Sequence, residues 1–217
     1  MTVFAEHENK ENFMMHKGSF ITLEGIDGVG KTTQALLLKE YLEGKGHHVC
    51  HTFEPGGTHL GSQIRTLLLN PEHSELHAMT EILLYAADRA QHVYEVVLPN
   101  LEAGRTVICE RFVDSSLAYQ GYGLGLDMDG IRQINHWATG GLLPDLTIYF
   151  DADPAESLVK TKGDRIEQRT LEYYARVREG FLTMAQAEPG RIKVISAEGT
   201  RAEVTSRVLE VLEGRCL

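Results

Sequence analysis

Short apolar runs alternate with longer mixed segments from residue 19 to the end of the chain. Ser19-Phe20-Ile21-Thr22-Leu23-Glu24 reads as a strand, and Lys31 to Leu42 as a helix that Gly44 and Gly46 stop. His48 to Phe53 reads as a second strand. Leu60 to Leu69 is helical, and so is Ser74 to Leu101, with a bend near Ala90. Thr106 to Cys109, Leu146 to Phe150 and Ile192 to Ile195 are three more short apolar strands, and a last helix covers Arg201 to Leu212. Strands that alternate with helices predict an α/β fold: a five-stranded parallel sheet with helices on both faces. Ligands of such sheets bind at the carboxyl ends of the strands. The loops that follow the strands are therefore where function is sought. No internal repeat or low-complexity tract interrupts the pattern.

Composition narrows the class. A chain of 217 residues suits one domain, here taken as 18–217, with a small insert at about 158–172. Met1 to Lys17 is polar and acidic and lacks an apolar stretch, so it reads as a disordered or extension segment and not as a secretory signal. The hydrophobic share is 42%, the charged share 24% and the formal net charge -10. An acidic chain is a poor match for a long polyanion such as DNA, although a local basic pocket can still hold a small phosphorylated ligand. No run is long and apolar enough to span a membrane. Cys50, Cys109 and Cys216 lie far apart without metal-ligand spacing, which predicts free thiols in a reducing compartment, the cytoplasm.

The decisive motif follows the first strand. Gly25-Ile26-Asp27-Gly28-Val29-Gly30-Lys31-Thr32 matches G-x-x-x-x-G-K-[ST]. Its glycines let successive backbone N–H groups point inward as an anion nest, and the helix that starts near Lys31 adds its positive end. Lys31 is placed to reach the β- and γ-phosphates of a nucleotide, and the Thr32 hydroxyl to ligate Mg²⁺. The guanine-specifying N-K-x-D of a GTPase is missing, and a large motor ATPase would need more chain. A small kinase of the P-loop fold remains.

Further blocks resemble the thymidylate kinase family. Ile21 to Gln34 is similar to the family's first block. Glu54-Pro55-Gly56-Gly57-Thr58 follows the second strand as the family's E-P-G-G-T does. Ala87-Asp88-Arg89-Ala90-Gln91-His92, Arg111 to Gly121, Pro144-Asp145-Leu146 and Asp164-Arg165-Ile166-Glu167-Gln168 come in the family's order. The resemblance extends from about Ser19 to the C-terminus.

That resemblance implies transfer of the γ-phosphoryl group of ATP to dTMP with Mg²⁺, by a homodimeric cytoplasmic enzyme that binds neither nucleic acid nor membrane. Gly25, Ile26, Asp27, Gly28, Val29, Gly30, Lys31, Thr32 and Thr33 would hold ATP. Glu54, Pro55, Tyr85, Arg89, Arg111, Ser115, Ser116, Tyr119 and Gln120 would hold dTMP. Arg111 would grip the acceptor phosphate as a fork that lysine cannot match. Arg89 would bond the thymine edge and Tyr85, one turn earlier, would stack on the base. Ser115, Ser116 and Gln120 would line its pocket, and Tyr119 would lie where a ribose carries its 2′-hydroxyl. Asp27 would contact the 3′-hydroxyl or position Mg²⁺ through water, and the metal ligands would be Thr32 and, through water, Glu110. With no arginine inside the phosphate loop, the catalytic set of Lys31, Asp27 and Arg111 is completed by Arg165 of the lid, supported by Lys160, Lys162 and Arg169.

Three features depart from the family pattern. Glu110 stands where the family has Asp, Leu124 where it has Arg, and the lid is short and poor in arginine. They keep alternatives open: a kinase for another deoxynucleotide or for a nucleoside, or a nucleotide-binding protein with weakened catalysis.

Overall fold

The computed structural model describes residues 18–157 and 163–214. The expected extension (1–17), Lys160, Lys162 and Cys216 lie outside the described residues.

The five strands are β1 (Phe20–Glu24), β2 (Val49–Phe53), β3 (Thr106–Glu110), β4 (Leu146–Asp151) and β5 (Ile192–Ser196). All pair in parallel, in the order β2-β3-β1-β4-β5. Parallel neighbours need long crossovers, and helices supply them. Among the described residues the α-helices are α1 (Lys31–Gly44), α2 (His59–Leu69), α3 (Ala78–His92), α4 (Leu98–Glu102), α5 (Val113–Ser116), α6 (Met128–Thr139), α7 (Pro154–Ser157), α8 (Leu171–Ala187) and, after the last strand, α9 (Arg201–Glu213).

Alternation along the strands sends side chains to the two faces of the sheet. Ile21, Leu23, Ile108, Ile148 and Phe150 pack with Leu38 of α1 and Val204, Val208 and Leu212 of α9. On the opposite face, Phe20, Val107 and Cys109 meet Val93, Val97 and Leu101, while Tyr149 and Ile192 meet Tyr174, Val177 and Phe181 of α8. Truncating a fully buried side chain such as Leu38 to alanine costs about 2–5 kcal/mol. Cys109 is a core residue, whereas Cys50 is only half-buried against that layer.

The strand and helix boundaries match the sequence pattern to within a residue or two, with informative differences. The helix expected from Ser74 starts at Ala78, where the His77 side chain caps it. Its departure from α geometry is a π-helical segment at Val93–Val97, beyond the bend expected near Ala90. α1 runs through Gly44, and the left-handed residue that follows it is Gly46 (φ 90°). The apolar pattern gave no element for residues 113–139 or for α8. Residues 117–123 form a second π-helical segment, tied to α8 by Tyr173 and Arg176.

Candidate active site

The chain turns from β1 into α1 through the phosphate loop, and two of its glycines are required by geometry. Gly25 sits at φ 146°, and a Cβ there would lie 2.9 Å from the Phe150 carbonyl oxygen. Gly30 caps α1 in the left-handed region at φ 91°. Lys31 Nζ folds over this loop and donates to Gly25 O at 3.0 Å and Ile26 O at 2.8 Å. Burial, and next the Arg111 charge, push its pKa down to about 8. The Thr32 hydroxyl donates to Glu110 Oε2 at 2.6 Å, and Glu110 Oε1 lies 2.9 Å from His51 Nε2. Burial alone would raise the Glu110 pKa, but the bonds with His51 and Thr32 hold it below the usual value. One cavity runs along the loop past Gly28, Lys31, Thr33, His51 and Glu110.

Next to it, the last residues of β3 build the second half of the site. Arg111 takes a left-handed backbone at φ 67°, uncommon for a non-glycine residue. Its Nη2 donates to Asp27 Oδ1 at 2.7 Å, and its Nη1 to Ser115 Oγ at 3.3 Å and the Tyr119 hydroxyl at 3.2 Å. Glu24, fully buried at the end of β1, accepts from Phe112 N at 2.7 Å and from the Ser115 hydroxyl at 2.6 Å. Burial, and next the Asp114 charge, raise its pKa to about 7. A second cavity is lined by Pro55, Tyr85, Arg89, Ser116, Tyr119 and Gln120. Asp27, Glu54, Arg65 and Arg111 line both cavities, so the two halves meet at these side chains.

Beneath the second cavity lies a buried polar network. Arg89 is 1% exposed. Its Nε donates to Glu54 Oε2 at 2.8 Å, its Nη1 to Ser116 Oγ and Asn135 Oδ1, and its Nη2 to the Phe112 carbonyl. That engages four of the five guanidinium N–H groups and leaves one Nη2 hydrogen. Glu54 Oε1 pairs with His92 Nδ1 at 2.8 Å, and His92 Nε2 with the Thr52 hydroxyl at 2.7 Å. Glu54, His92 and Cys109 have ligand atoms within 4.8 Å of one another. Each is engaged within the protein, Cys109 through the Arg111 carbonyl at 3.1 Å, so the trio is structural.

Comparison with known proteins gives the family. The family model described as thymidylate kinase matches residues 23–208. A thymidylate kinase of Synechococcus sp. is 54% identical over 90% of this chain and 95% of its own length. One of Exiguobacterium sibiricum is 48% identical over 91% of this chain and 97% of its own. The crystal structure of thymidylate kinase from Ehrlichia chaffeensis superposes with a TM-score of 0.76 at 38% identity, covering 90% of this chain and 98% of that one. The chain belongs to the thymidylate kinase family.

Measured against what the thymidylate kinase resemblance implied, most expected residues gather at the two cavities. Arg165 does not line either of them. It donates to Glu81 Oε2 at 2.7 Å and to the Leu68 carbonyl at 2.7 Å, and Arg169 joins it on Glu81. Asp164 and Ile166, its neighbours, face the second cavity instead. Near Leu124, the Gly123 carbonyl accepts from Arg176 at 2.7 Å, so a guanidinium from α8 stands beside the position where the family carries its own arginine. Sequence reasoning missed Arg65, Glu24, Glu81 and Asn135. For Glu24 a signal existed: a carboxylate closing an apolar strand just before a phosphate loop. For Arg65, Glu81 and Asn135, polar residues on helices, no local pattern marks the inward face.

Proposed function

We infer that this enzyme transfers the γ-phosphoryl group of ATP to dTMP, yielding ADP and dTDP. The observation that carries the reading is the junction of the two cavities at Asp27 and Arg111, next to Lys31. ATP phosphates would lie in the loop nest, with Lys31 leaving Gly25 O and Ile26 O for the β- and γ-oxygens. Arg111 would take the dTMP phosphate in place of Asp27, holding the acceptor oxygen in line with the γ-phosphorus. The acceptor oxygen bonds to that phosphorus as the bond to the β–γ bridging oxygen breaks, and the electron pair leaves with ADP. A phosphate acceptor is already ionised near neutral pH, so positioning and charge stabilisation carry the step, without a general base.

Thr32 Oγ1 and the Glu110 carboxylate are hard oxygen donors beside the loop, a set that fits Mg²⁺. These two residues would hold it, Glu110 through a water. When bound it neutralises phosphate charge. The extra methylene of Glu110 does not part it from Thr32, which speaks against weakened catalysis. For Arg165 to act at the transferring phosphoryl group, it must exchange Glu81 for phosphate, an exchange suited to closure of a lid at about 158–172.

A homodimer also fits. Met79 (46% exposed), Leu83 (51%) and Tyr94 (77%) align along one face of α3 and its π-helical continuation, and Leu60 and Leu67 of α2 are exposed nearby in sequence. Among the described residues no helix is long and apolar enough to cross a membrane. A cytoplasmic setting accords with the free thiols of Cys50 and Cys109.

The test is ADP release with Mg·ATP and a panel of dTMP, dUMP, dCMP, dGMP, UMP and thymidine. Strong preference for dTMP is expected. Higher kcat/KM on thymidine, or no dTMP-dependent ADP release, overturns the reading.

A further inference from the structure

Glu81 of α3 is fully buried and engages three side chains. Its Oε2 accepts from Arg165 Nη2 at 2.7 Å and Arg169 Nη2 at 2.5 Å. Its Oε1 accepts from Gln120 Nε2 at 2.9 Å. Gln120 is 2% exposed and lines the second cavity together with Tyr85 and Arg89. Among the described residues no donor meets Gln120 Oε1.

We propose that Glu81 is a specificity-determining positioning residue: it fixes which way round the Gln120 amide faces the base, so that the pocket accepts thymine and rejects cytosine. The proposal rests on the reading of this cavity as the base pocket.

A side-chain amide on its own is a poor judge of bases. It carries a donor on one side and an acceptor on the other, and rotation about its last bond exchanges them. Thymine and uracil present an N3–H donor beside carbonyl acceptors. Cytosine presents an N3 acceptor beside an amino donor. A freely turning glutamine satisfies either edge. Glu81 removes that freedom. A carboxylate gripped by two guanidinium groups accepts hydrogen bonds and donates none. Only the NH₂ of Gln120 can face it, because the turned amide would set oxygen against oxygen in a buried site. The acceptor Oε1 and the second Nε2 hydrogen are left for the ligand, a pair that matches N3–H and a neighbouring carbonyl. Cytosine would meet acceptor with acceptor and donor with donor. Glu81 itself touches no substrate and acts through Gln120. Arg165 and Arg169 hold the same carboxylate, and Arg169 keeps this brace on the base-reading amide when Arg165 exchanges Glu81 for phosphate.

The experiment compares kcat/KM on dTMP, dUMP and dCMP for the wild type and Glu81→Gln. The new amide offers Gln120 either an acceptor or a donor, so the orientation is released at nearly constant volume. The wild type should prefer dTMP and dUMP over dCMP. In the variant the dTMP-to-dCMP ratio should fall by about tenfold or more, chiefly through KM. The dTMP-to-dUMP ratio should stay constant, because both bases share the edge in question. Equal losses on all three substrates would show a merely structural role and overturn the proposal. A wild type that prefers dCMP overturns the base-pocket reading, and the proposal with it. Should the variant fail to fold, NMR of the wild type decides. The Gln120 side-chain NH₂ pair, assigned by its disappearance in Gln120→Met, should remain hydrogen-bonded and protected from exchange with and without dTMP. A rapidly exchanging pair at solvent-exposed shifts overturns the proposal.

Discussion

Arg111 Nη2 donates to Asp27 Oδ1 at 2.7 Å, which joins the end of β3 to the interior of the phosphate loop. Burial alone would raise the Asp27 pKa, but the Arg111 and Lys31 charges outweigh it and hold it at about 2, below its ordinary 3.8. Between those values the unfolded chain binds more protons than the folded one. The pair's contribution is therefore present above pH 3.8 and is lost as the pH falls toward 2. Asp27 is 33% exposed, so screening trims the effect. Urea unfolding at pH 6 and pH 3 should show the wild type losing about 1 kcal/mol more than Asp27→Asn.

Arg111→Lys should lower kcat/KM for dTMP by about 100-fold. Lysine keeps the charge but loses the fork that spans Asp27, Ser115 and Tyr119. Steady-state kinetics check this, and thermal unfolding should show that the variant still folds.

Lys31 predicts an alkaline limb. Its pKa of about 8, against an ordinary 10.5, means that the free enzyme sheds this charge early. kcat/KM for ATP should decline above about pH 8, and Lys31→Arg should abolish that limb while lowering the rate. The stability sign is opposite. The folded state binds fewer protons between pH 8 and 10.5, so the penalty of the buried charge is relieved as pH rises through that window.

Arg89 and Glu54 form a pair in which each side chain is 2% exposed. Removing Glu54 leaves Arg89 buried with only neutral acceptors, and removing Arg89 leaves Glu54 buried with only His92. Arg89→Leu and Glu54→Ala should each cost about 3–5 kcal/mol, and the double variant much less than their sum. Urea denaturation of the four proteins closes this cycle. A loss of dTMP affinity in Arg89 variants must therefore be weighed against the stability lost with them.

Leu83→Glu places a charge in the middle of the exposed apolar stripe on α3. It should convert a dimer to a monomer at micromolar concentration, as read by sedimentation velocity.

The sheet and the phosphate loop were legible because their causes are local. Apolar runs such as Phe20–Glu24 and Thr106–Glu110 are short enough to be strands, and the glycines of the loop are spaced for one backbone path. The segment from Val113 to Thr139 was illegible because its helices owe their form to neighbours. Tyr119 and Gln120 face inward only once α8 and α3 are in place.

By itself the sequence determined the α/β alternation, the phosphate loop, the ordered family blocks and hence the reaction. Each is written in residues adjacent along the chain, where propensity and backbone geometry act directly. Tertiary structure alone decided how the charges are paired. Arg89 is spent largely on Glu54, Ser116 and Asn135, Arg165 on Glu81, and Asp27 on Arg111. These partners lie 27 to 84 residues apart. A buried charge takes whichever counter-group the packing brings within reach, and that choice is fixed by the fold and not by sequence neighbours.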